Sequence, residues 1–225
     1  MGDADGDGDD DLFLCGAAGQ SGALYLVDQK GHFSKATGNF AWEQHAESEG
    51  MGAVWFDVDS DGDLDLFVSH GTPEFPERSI NQQNRIYLNN SSNGRLIFAE
   101  TELLAIPIYG GSNGTVAVHD YDLDGDPDLL IGGRTVPGKF PTTPASYLLR
   151  NDSTQEKISF SDVTADVIPA LQKCGMVTSA LWSDANGDGQ TDLLVTTEWG
   201  PVRLFLCQDQ KFQDATEFAG FAERT

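Results

Sequence analysis

The chain has 225 residues, 39% of them hydrophobic, and its 36 acidic residues against 13 basic ones give a formal net charge of −23. This length allows one or two globular domains with a sizeable core, whereas the charge argues against nucleic acid or an anionic membrane surface as a partner. No apolar run approaches the roughly 18 to 20 residues of a membrane helix, so we predict no direct membrane insertion and expect cations as partners.

Four acidic segments recur along the chain and hold 19 of its 36 acidic residues. They occupy residues 3–11, 57–65, 120–128 and 184–192, and they read DADGDGDDD, DVDSDGDLD, DYDLDGDPD and DANGDGQTD. All four fit the pattern D-x-[DN]-x-D-G-x-x-D, and their starts lie 54, 63 and 64 residues apart. Such spacing indicates a repeated structural unit, and charge packed in this way costs free energy unless something neutralises it.

Short apolar runs surround the acidic segments in a constant order. In the second unit, GAVWFD (52–57) precedes the segment, DLFVSHG follows it directly, and RIYLNN (85–90) and IFAET (97–101) come next. These runs are too short for helices and show no helical period, which is typical of strands. Each unit is therefore predicted as four strands, A to D, with the acidic loop between strands A and B.

Four-stranded units repeated in tandem at this spacing are typical of propeller blades. The predicted fold is all-β: a partial β-propeller of about four four-stranded blades, each with a calcium loop between strands A and B. The first blade is incomplete because the chain reaches its acidic loop without a preceding strand A. Trp55 and Trp182 each lie two residues before a loop, and we expect them to fill the space between blades. Residues 1–225 are predicted as a single propeller segment, with blade 1 at 3–37, blade 2 at 52–101, blade 3 at 115–164 and blade 4 at 177–216.

The acidic loops have the chemistry of calcium sites. Ca²⁺ takes about six to eight oxygen ligands, and a tight loop with carboxylates at alternate positions can direct them at one centre. In the second loop Asp57, Asp59 and Asp61 would converge by side chain, the carbonyl of Asp63 would add an oxygen, and Asp65 would close the site. The predicted cofactor is Ca²⁺, in up to four sites. The candidate ligands are Asp3, Asp5, Asp7, Asp9 and Asp11; Asp57, Asp59, Asp61, Asp63 and Asp65; Asp120, Asp122, Asp124, Asp126 and Asp128; and Asp184, Asn186, Asp188, Gln190 and Asp192.

Other metal motifs fit these loops less well. The acidic loops contain no Cys or His, which argues against zinc and copper. Magnesium prefers stricter octahedral geometry. An EF-hand needs Glu at loop position 12, where this chain has Leu14, Val68, Ile131 and Val195. The fourth loop carries Asn186 where the others have Asp, so we predict that it binds calcium most weakly.

The sequence offers no convincing catalytic centre. GGSNG (110–114) matches the G-x-S-x-G string of a nucleophile elbow, with Ser112 as the nominal nucleophile. A nucleophile elbow joins a strand to a helix, whereas this string precedes a predicted strand A. We therefore predict that the chain is not an enzyme and has no catalytic residues.

The expected calcium affinity also suggests a location. Extracellular calcium modules bind with dissociation constants of roughly 0.1 to 1 mM, at which the sites fill outside the cell or in the periplasm and stay largely empty in the cytosol. The predicted location is extracellular, periplasmic or cell-surface.

A partner is expected on the face opposite the calcium loops, because loops on a rigid scaffold usually carry binding. The connections between strands B and C lie there, and two of them are long, at 72–84 and 134–145. They combine aromatic anchors with cations, a composition enriched at interfaces. The alternative is that their prolines stiffen the loops and their aromatics cap the blade ends. The candidate ligand-binding residues are Phe75, Arg78, Arg134, Lys139, Phe140 and Trp199.

The acidic loop followed by DL-x-[VIL] resembles the FG-GAP or VCBS repeat family, the calcium-loop propellers of integrin alpha heads and of many secreted bacterial proteins. The stretches 131–153 and 175–189 look most like the bacterial branch related to cartilage acidic protein, which is often associated with an ASPIC/UnbV domain. The resemblance implies an exported, usually seven-bladed propeller with calcium-dependent adhesion or ligand binding and no shared catalytic activity.

Three functions remain open at this point. The favoured one is a non-catalytic, calcium-binding extracytoplasmic module for adhesion or for binding an extracellular protein or glycan. The second is an accessory or catalytic propeller of a polysaccharide-degrading enzyme, because some lyases are calcium-bearing propellers. The third is a purely structural spacer in a larger secreted protein.

Overall fold

A computed structural model describes residues 1–102 and 104–221, and over these residues the chain forms an all-β partial propeller of four sheets. The first sheet has three strands in the order β1-β2-β3, without a strand A among the described residues. The strands are β1 (Leu12–Leu14), β2 (Ala23–Val27) and β3 (Phe33–Lys35).

The second sheet has five strands. They are β4 (Gly38–Phe40), β5 (Gly50–Phe56), β6 (Asp65–His70), β7 (Arg85–Asn89) and β8 (Leu96–Glu100). The order β4-β8-β7-β6-β5 contains the predicted strands A to D as β5 to β8. The four-strand prediction for this blade is wrong by one strand, because β4 from the preceding linker pairs parallel with β8. Phe40 and Trp42 are buried beside this pair, which holds the linker against the sheet edge.

The third and fourth sheets are four-stranded meanders, with the orders β12-β11-β10-β9 and β13-β14-β15-β16. The third comprises β9 (Ser112–His119), β10 (Asp128–Thr135), β11 (Tyr147–Asn151) and β12 (Phe160–Asp162). The fourth comprises β13 (Met176–Ser183), β14 (Asp192–Glu198), β15 (Arg203–Gln208) and β16 (Lys211–Asp214).

Helical structure is confined to short connections. Among the residues that the structure describes, it comprises one α-helix, α1 (Thr164–Val167), and 3₁₀ turns at Ala41–His45, Ile80–Gln82 and Pro169–Lys173. None of the helices in the described ranges is long and apolar enough to cross a membrane.

In the two interior sheets, the strands that follow the acidic loops, β6 and β10, are largely buried on both faces, because each of these sheets lies between two others. All six residues of β6 are buried. Leu66 and Val68 pack in the apolar cluster shared with the first sheet, whereas Phe67 packs in the cluster shared with the third. Since successive strand residues point to opposite faces, one continuous apolar run packs into two seams, the interfaces between adjacent sheets.

The tryptophans before the loops lie in the seams, as predicted. Trp55 packs against the cluster between the first two sheets, with its ring centroid 5.7 Å from that of Phe98. Trp182 packs against the cluster between the last two sheets, 5.6 Å from Phe212. These large rings fill the space that opens between sheets splayed around an axis.

Buried asparagines join the first and second acidic loops to the sheets that follow them. Asn89, at the end of β7, donates from Nδ2 to the carbonyl of Ala4 in the first loop at 3.1 Å and to that of Leu64 in the second at 3.2 Å. Asn151, at the end of β11, donates to the carbonyl of Val58 in the second loop at 3.0 Å. The loops are thus attached to their neighbours as well as to their own blade.

Replacing Asn89 by Asp is expected to lower the free energy of unfolding by about 1–3 kcal/mol, because two buried carbonyls lose their donor. Asn90→Asp is the matched control, since it adds the same charge at the neighbouring, exposed position and should change stability by less than about 0.5 kcal/mol. Urea denaturation in millimolar calcium measures both. Equal losses in the two variants would show that the added charge, and not the bridge, accounts for the effect.

Candidate metal centre

The first aspartate of each acidic loop folds the loop around its own carboxylate. In the second loop, Asp57 accepts hydrogen bonds from the backbone N–H of Asp61 at 3.1 Å and of Gly62 at 3.0 Å. Gly62 has φ of +98°, and the equivalent glycines of the other loops lie between +86° and +102°. Only a residue without Cβ adopts this conformation easily, which explains the glycine at position 6. The equivalent bonds from the position-6 glycines go to Asp3, Asp120 and Asp184.

The last aspartate of each loop is buried and ties the loop to the third strand of its own blade. In the second loop, Asp65 accepts from the N–H of Val58 at 3.0 Å and from the N–H of Asn89 at 2.8 Å, one on each carboxylate oxygen. A buried carboxylate with two such donors fixes the distance between a loop and a strand. The same pair of bonds is made by Asp11 with Ala4 and Val27, by Asp128 with Tyr121 and Asn151, and by Asp192 with Ala185 and Cys207.

Three of the loops bring three carboxylates together. In each, one oxygen from each of three aspartates lies within 4.8 Å of the other two. The groups are Asp3, Asp5 and Asp11; Asp57, Asp59 and Asp61; and Asp120, Asp122 and Asp128. In the fourth loop, Asn186 Nδ2 instead donates to Asp188 Oδ2 at 2.9 Å, which occupies one of the predicted ligand oxygens.

The electrostatics of the loops are unfavourable in the protein alone. Burial raises the pKa of Asp59, and the charges of Asp61 and Asp57 raise it further. Burial and neighbouring carboxylates act in the same direction on the pKa values of Asp5 and Asp122. These shifts mean that the protein's own groups do not fully compensate the negative charge of the first three loops.

The last aspartates of the second and third loops are affected more strongly. Burial raises the pKa of Asp65 to about 7, and that of Asp128 to about 7, although two backbone hydrogen bonds lower each value. The cost of desolvating these carboxylates therefore exceeds what the amide donors return.

The donor set fits a hard divalent cation. Within the described ranges, Asp59 Oδ1 and Asp122 Oδ1 are buried oxygens without a hydrogen-bond partner. Both belong to position 3 of their loops and to the convergent groups. Buried carboxylate oxygens that lack a donor, beside other carboxylates and without sulfur or imidazole, suit calcium better than zinc or copper.

The position-7 side chains lie outside the three convergent groups of carboxylate oxygens. In the third loop, Asp126 accepts a hydrogen bond from Ser60 Oγ of the neighbouring loop at 3.1 Å. Participation of Asp9, Asp63, Asp126 and Gln190 in a metal site stays a prediction.

On the opposite face the structure gathers four of the six candidate ligand-binding residues. Phe140 and Trp199 have ring centroids 5.4 Å apart. Arg134 pairs with Glu198, next to Trp199, and Lys139, next to Phe140, pairs with Glu77 at 2.6 Å. Phe75 and Arg78 belong to the connection that carries Glu77, the partner of Lys139.

Sequence reasoning missed the asparagines that bridge loops and blades. Asn89 and Asn151 close the runs RIYLNN and SYLLRN at equivalent positions, so an Asn repeated at the end of strand C was the available signal. It was not distinctive, because Asn at a strand end is also typical of an ordinary turn.

Comparison with known proteins gives a family match for the first part of the chain. Residues 3–68 match the family described as FG-GAP-like repeat, a range that begins with the first acidic loop and ends within β6. This match supports the FG-GAP resemblance. The narrower likeness to the bacterial branch related to cartilage acidic protein stays a prediction.

Two curated proteins show weaker similarity. Phosphatidylinositol-glycan-specific phospholipase D of Mus musculus is 28% identical over 152 residues, and that of Rattus norvegicus is 27% identical over 154 residues. Each alignment covers 64% of this chain and 18% of the relative. The chain therefore spans less than a fifth of the length of these relatives.

Proposed function

We propose that this chain is a calcium-binding, extracytoplasmic repeat module that binds an extracellular protein or glycan and carries no catalytic activity of its own. The observation that carries the proposal is the convergence of three carboxylates in each of three loops, with buried oxygens left unpartnered at Asp59 and Asp122. The four loops occupy the same position in their blades, which supports the same role for each of them.

The task we propose for the ion is structural. Residues at positions 1, 3, 5 and 9 of each loop would hold it, and its charge would offset the repulsion that raises the pKa of Asp5, Asp59 and Asp122. The last aspartate connects the loop to strand C, and the asparagines connect it to the next blade. Filling a site would therefore stiffen one end of two adjacent blades.

Binding of a partner is proposed for the opposite face. The connections there are free of the loop network, and their aromatic and charged side chains are the kind enriched at interfaces. FG-GAP repeats occur in extracellular proteins, which supports an extracytoplasmic location. The curated relatives are named for action on phosphatidylinositol-glycan. Their activity belongs to proteins of which this chain spans less than a fifth, and we transfer only the repeat module.

Removal of calcium is expected to lower the melting temperature reversibly. If each dissociation constant is near 0.1 mM, raising free calcium to 10 mM adds about 2.7 kcal/mol per filled site. Differential scanning calorimetry of stripped and reloaded protein, together with isothermal titration calorimetry, measures both quantities, with magnesium as the control cation. Absence of binding heat and of any rise in melting temperature with calcium would refute the proposal.

Substitution of the position-3 residues is expected to change the calcium affinities of the fourth and second loops in opposite directions. Asn186→Asp should raise the calcium affinity of the fourth loop by on the order of tenfold, since it adds a ligand charge and frees Asp188. Asp59→Asn should lower the affinity of the second loop by a similar factor. The amide signals of Gly189 and Gly62 in NMR titrations report the two loops separately. A wild-type fourth loop that fills before the second would contradict this ranking.

The stabilisation by calcium is expected to grow with pH. With the pKa of Asp65 and Asp128 near 7 in the folded protein, against 3.8 for an ordinary Asp, the metal-free folded state binds more protons than the unfolded state between about pH 4 and 7. Its stability therefore falls as pH rises through this window. Calcium favours the ionised carboxylates, so the gap between the melting temperatures of loaded and stripped protein should be wider at pH 8 than at pH 5. A gap that is constant or narrows would contradict this reasoning.

A further inference from the structure

Two exposed aromatic rings from neighbouring blades meet on the face opposite the acidic loops. Phe140 lies in the connection that follows β10, and Trp199 lies directly after β14. Their ring planes are inclined at 73° with the centroids 5.4 Å apart, and the residues are 65% and 69% exposed. The pair therefore forms an apolar corner across the seam between the third and fourth blades.

Packing within the fold does not explain why these two aromatic rings are exposed to solvent. By contrast, the stacked rings of Phe40 and Trp42 in the seam between the first two sheets are buried, because aromatic surface is stabilised by removal from water. Trp199 is also held at φ of +63°, a left-handed conformation that is rare for a bulky residue. Strained backbone that presents a large apolar side chain to solvent is characteristic of binding positions.

The charges around the corner compensate one another. Glu198 pairs with Arg134, and Lys139 pairs with Glu77 at 2.6 Å, so that each ring has an ion pair at the preceding residue. The side chains of Arg134 and Glu198 are about one-third exposed, at 33% and 37%. The surroundings are thus locally neutral in a chain of net charge −23, and they still offer guanidinium donors and carboxylate acceptors to a ligand.

This combination selects a ligand with an apolar face and a rim of hydroxyl groups. A polyanion would be repelled by the net charge of the chain, and a cation would find no uncompensated carboxylate at the rings. A protein partner usually buries about 800 Å² on each side, far more than one ring pair presents. A pyranose ring places its C–H groups on an aromatic face and its hydroxyls against charged side chains, and it fits the corner.

We propose that the Phe140–Trp199 corner, with Arg134 and Glu198, binds a neutral carbohydrate. This inference rests on the proposed function and names the ligand class for its binding face. Calcium contributes indirectly in this arrangement, because the loops lie at the opposite end of the strands that present the two rings.

The test begins with an array of neutral and acidic oligosaccharides, probed with the whole chain in 10 mM calcium chloride, followed by isothermal titration of cellohexaose, mannohexaose, chitohexaose and hexagalacturonate. We expect at least one neutral saccharide to bind and to shift tryptophan emission. Trp199→Ala and Phe140→Ala should each lower its association constant at least tenfold. Phe218→Ala is the matched control, because it removes a ring that is 92% exposed at the acidic-loop edge, and it should change binding less than twofold.

Calcium titration and melting curves of every variant keep the outcomes apart. Unchanged calcium binding with no neutral saccharide bound would overturn the carbohydrate assignment and leave the calcium module standing. Preference for hexagalacturonate, or neutral binding that survives Trp199→Ala, would overturn it as well. Loss of calcium binding in the wild-type chain would instead refute the proposed function.

Discussion

The repulsion among clustered carboxylates is the constraint on which the structure depends. More than half of the acidic residues lie in four short loops, and in three of them the carboxylates converge within 4.8 Å. The protein meets part of this cost with backbone amides, which are directed at the first and last aspartates. In the second and third loops it leaves one oxygen of the position-3 aspartate without a hydrogen-bond partner, at Asp59 and Asp122. The backbone hydrogen bonds of such a loop are formed, whereas its negative charge is only partly compensated by the protein's own groups.

The blades depend on the same loops. Each last aspartate holds its loop against strand C, so the acidic loop determines the spacing within a blade. Asn89 and Asn151 then attach a loop to the blade that follows it. Most of the buried surface lies in the apolar seams. The polar bonds fix the orientation of adjacent blades, because hydrogen bonds are directional whereas apolar contact alone permits sliding. Charge compensation in one loop therefore acts on two blades.

The opposite end of the blades carries the proposed carbohydrate corner. The connections after β10 and β14 place Phe140 and Trp199 beside two ion pairs, with side chains open to solvent. Loops presented by a rigid scaffold commonly carry binding, and such loops can change without disturbing the groups that hold the fold together.

The sequence by itself determined the all-β class, the repeated unit, the strand order within a blade and the acidic loops in which carboxylates converge. It could do so because these features are local: the acidic pattern spans nine residues, and two-sided burial of β6 appears as one apolar run. Only the tertiary structure decided that Gly38–Phe40 adds a fifth strand to the second sheet, that Asn89 reaches Ala4, and that Phe140 meets Trp199. These contacts join residues about 60 to 85 positions apart, and the local sequence around one partner does not identify the other. They depend on the rotation between successive blades, which sequence periodicity does not specify.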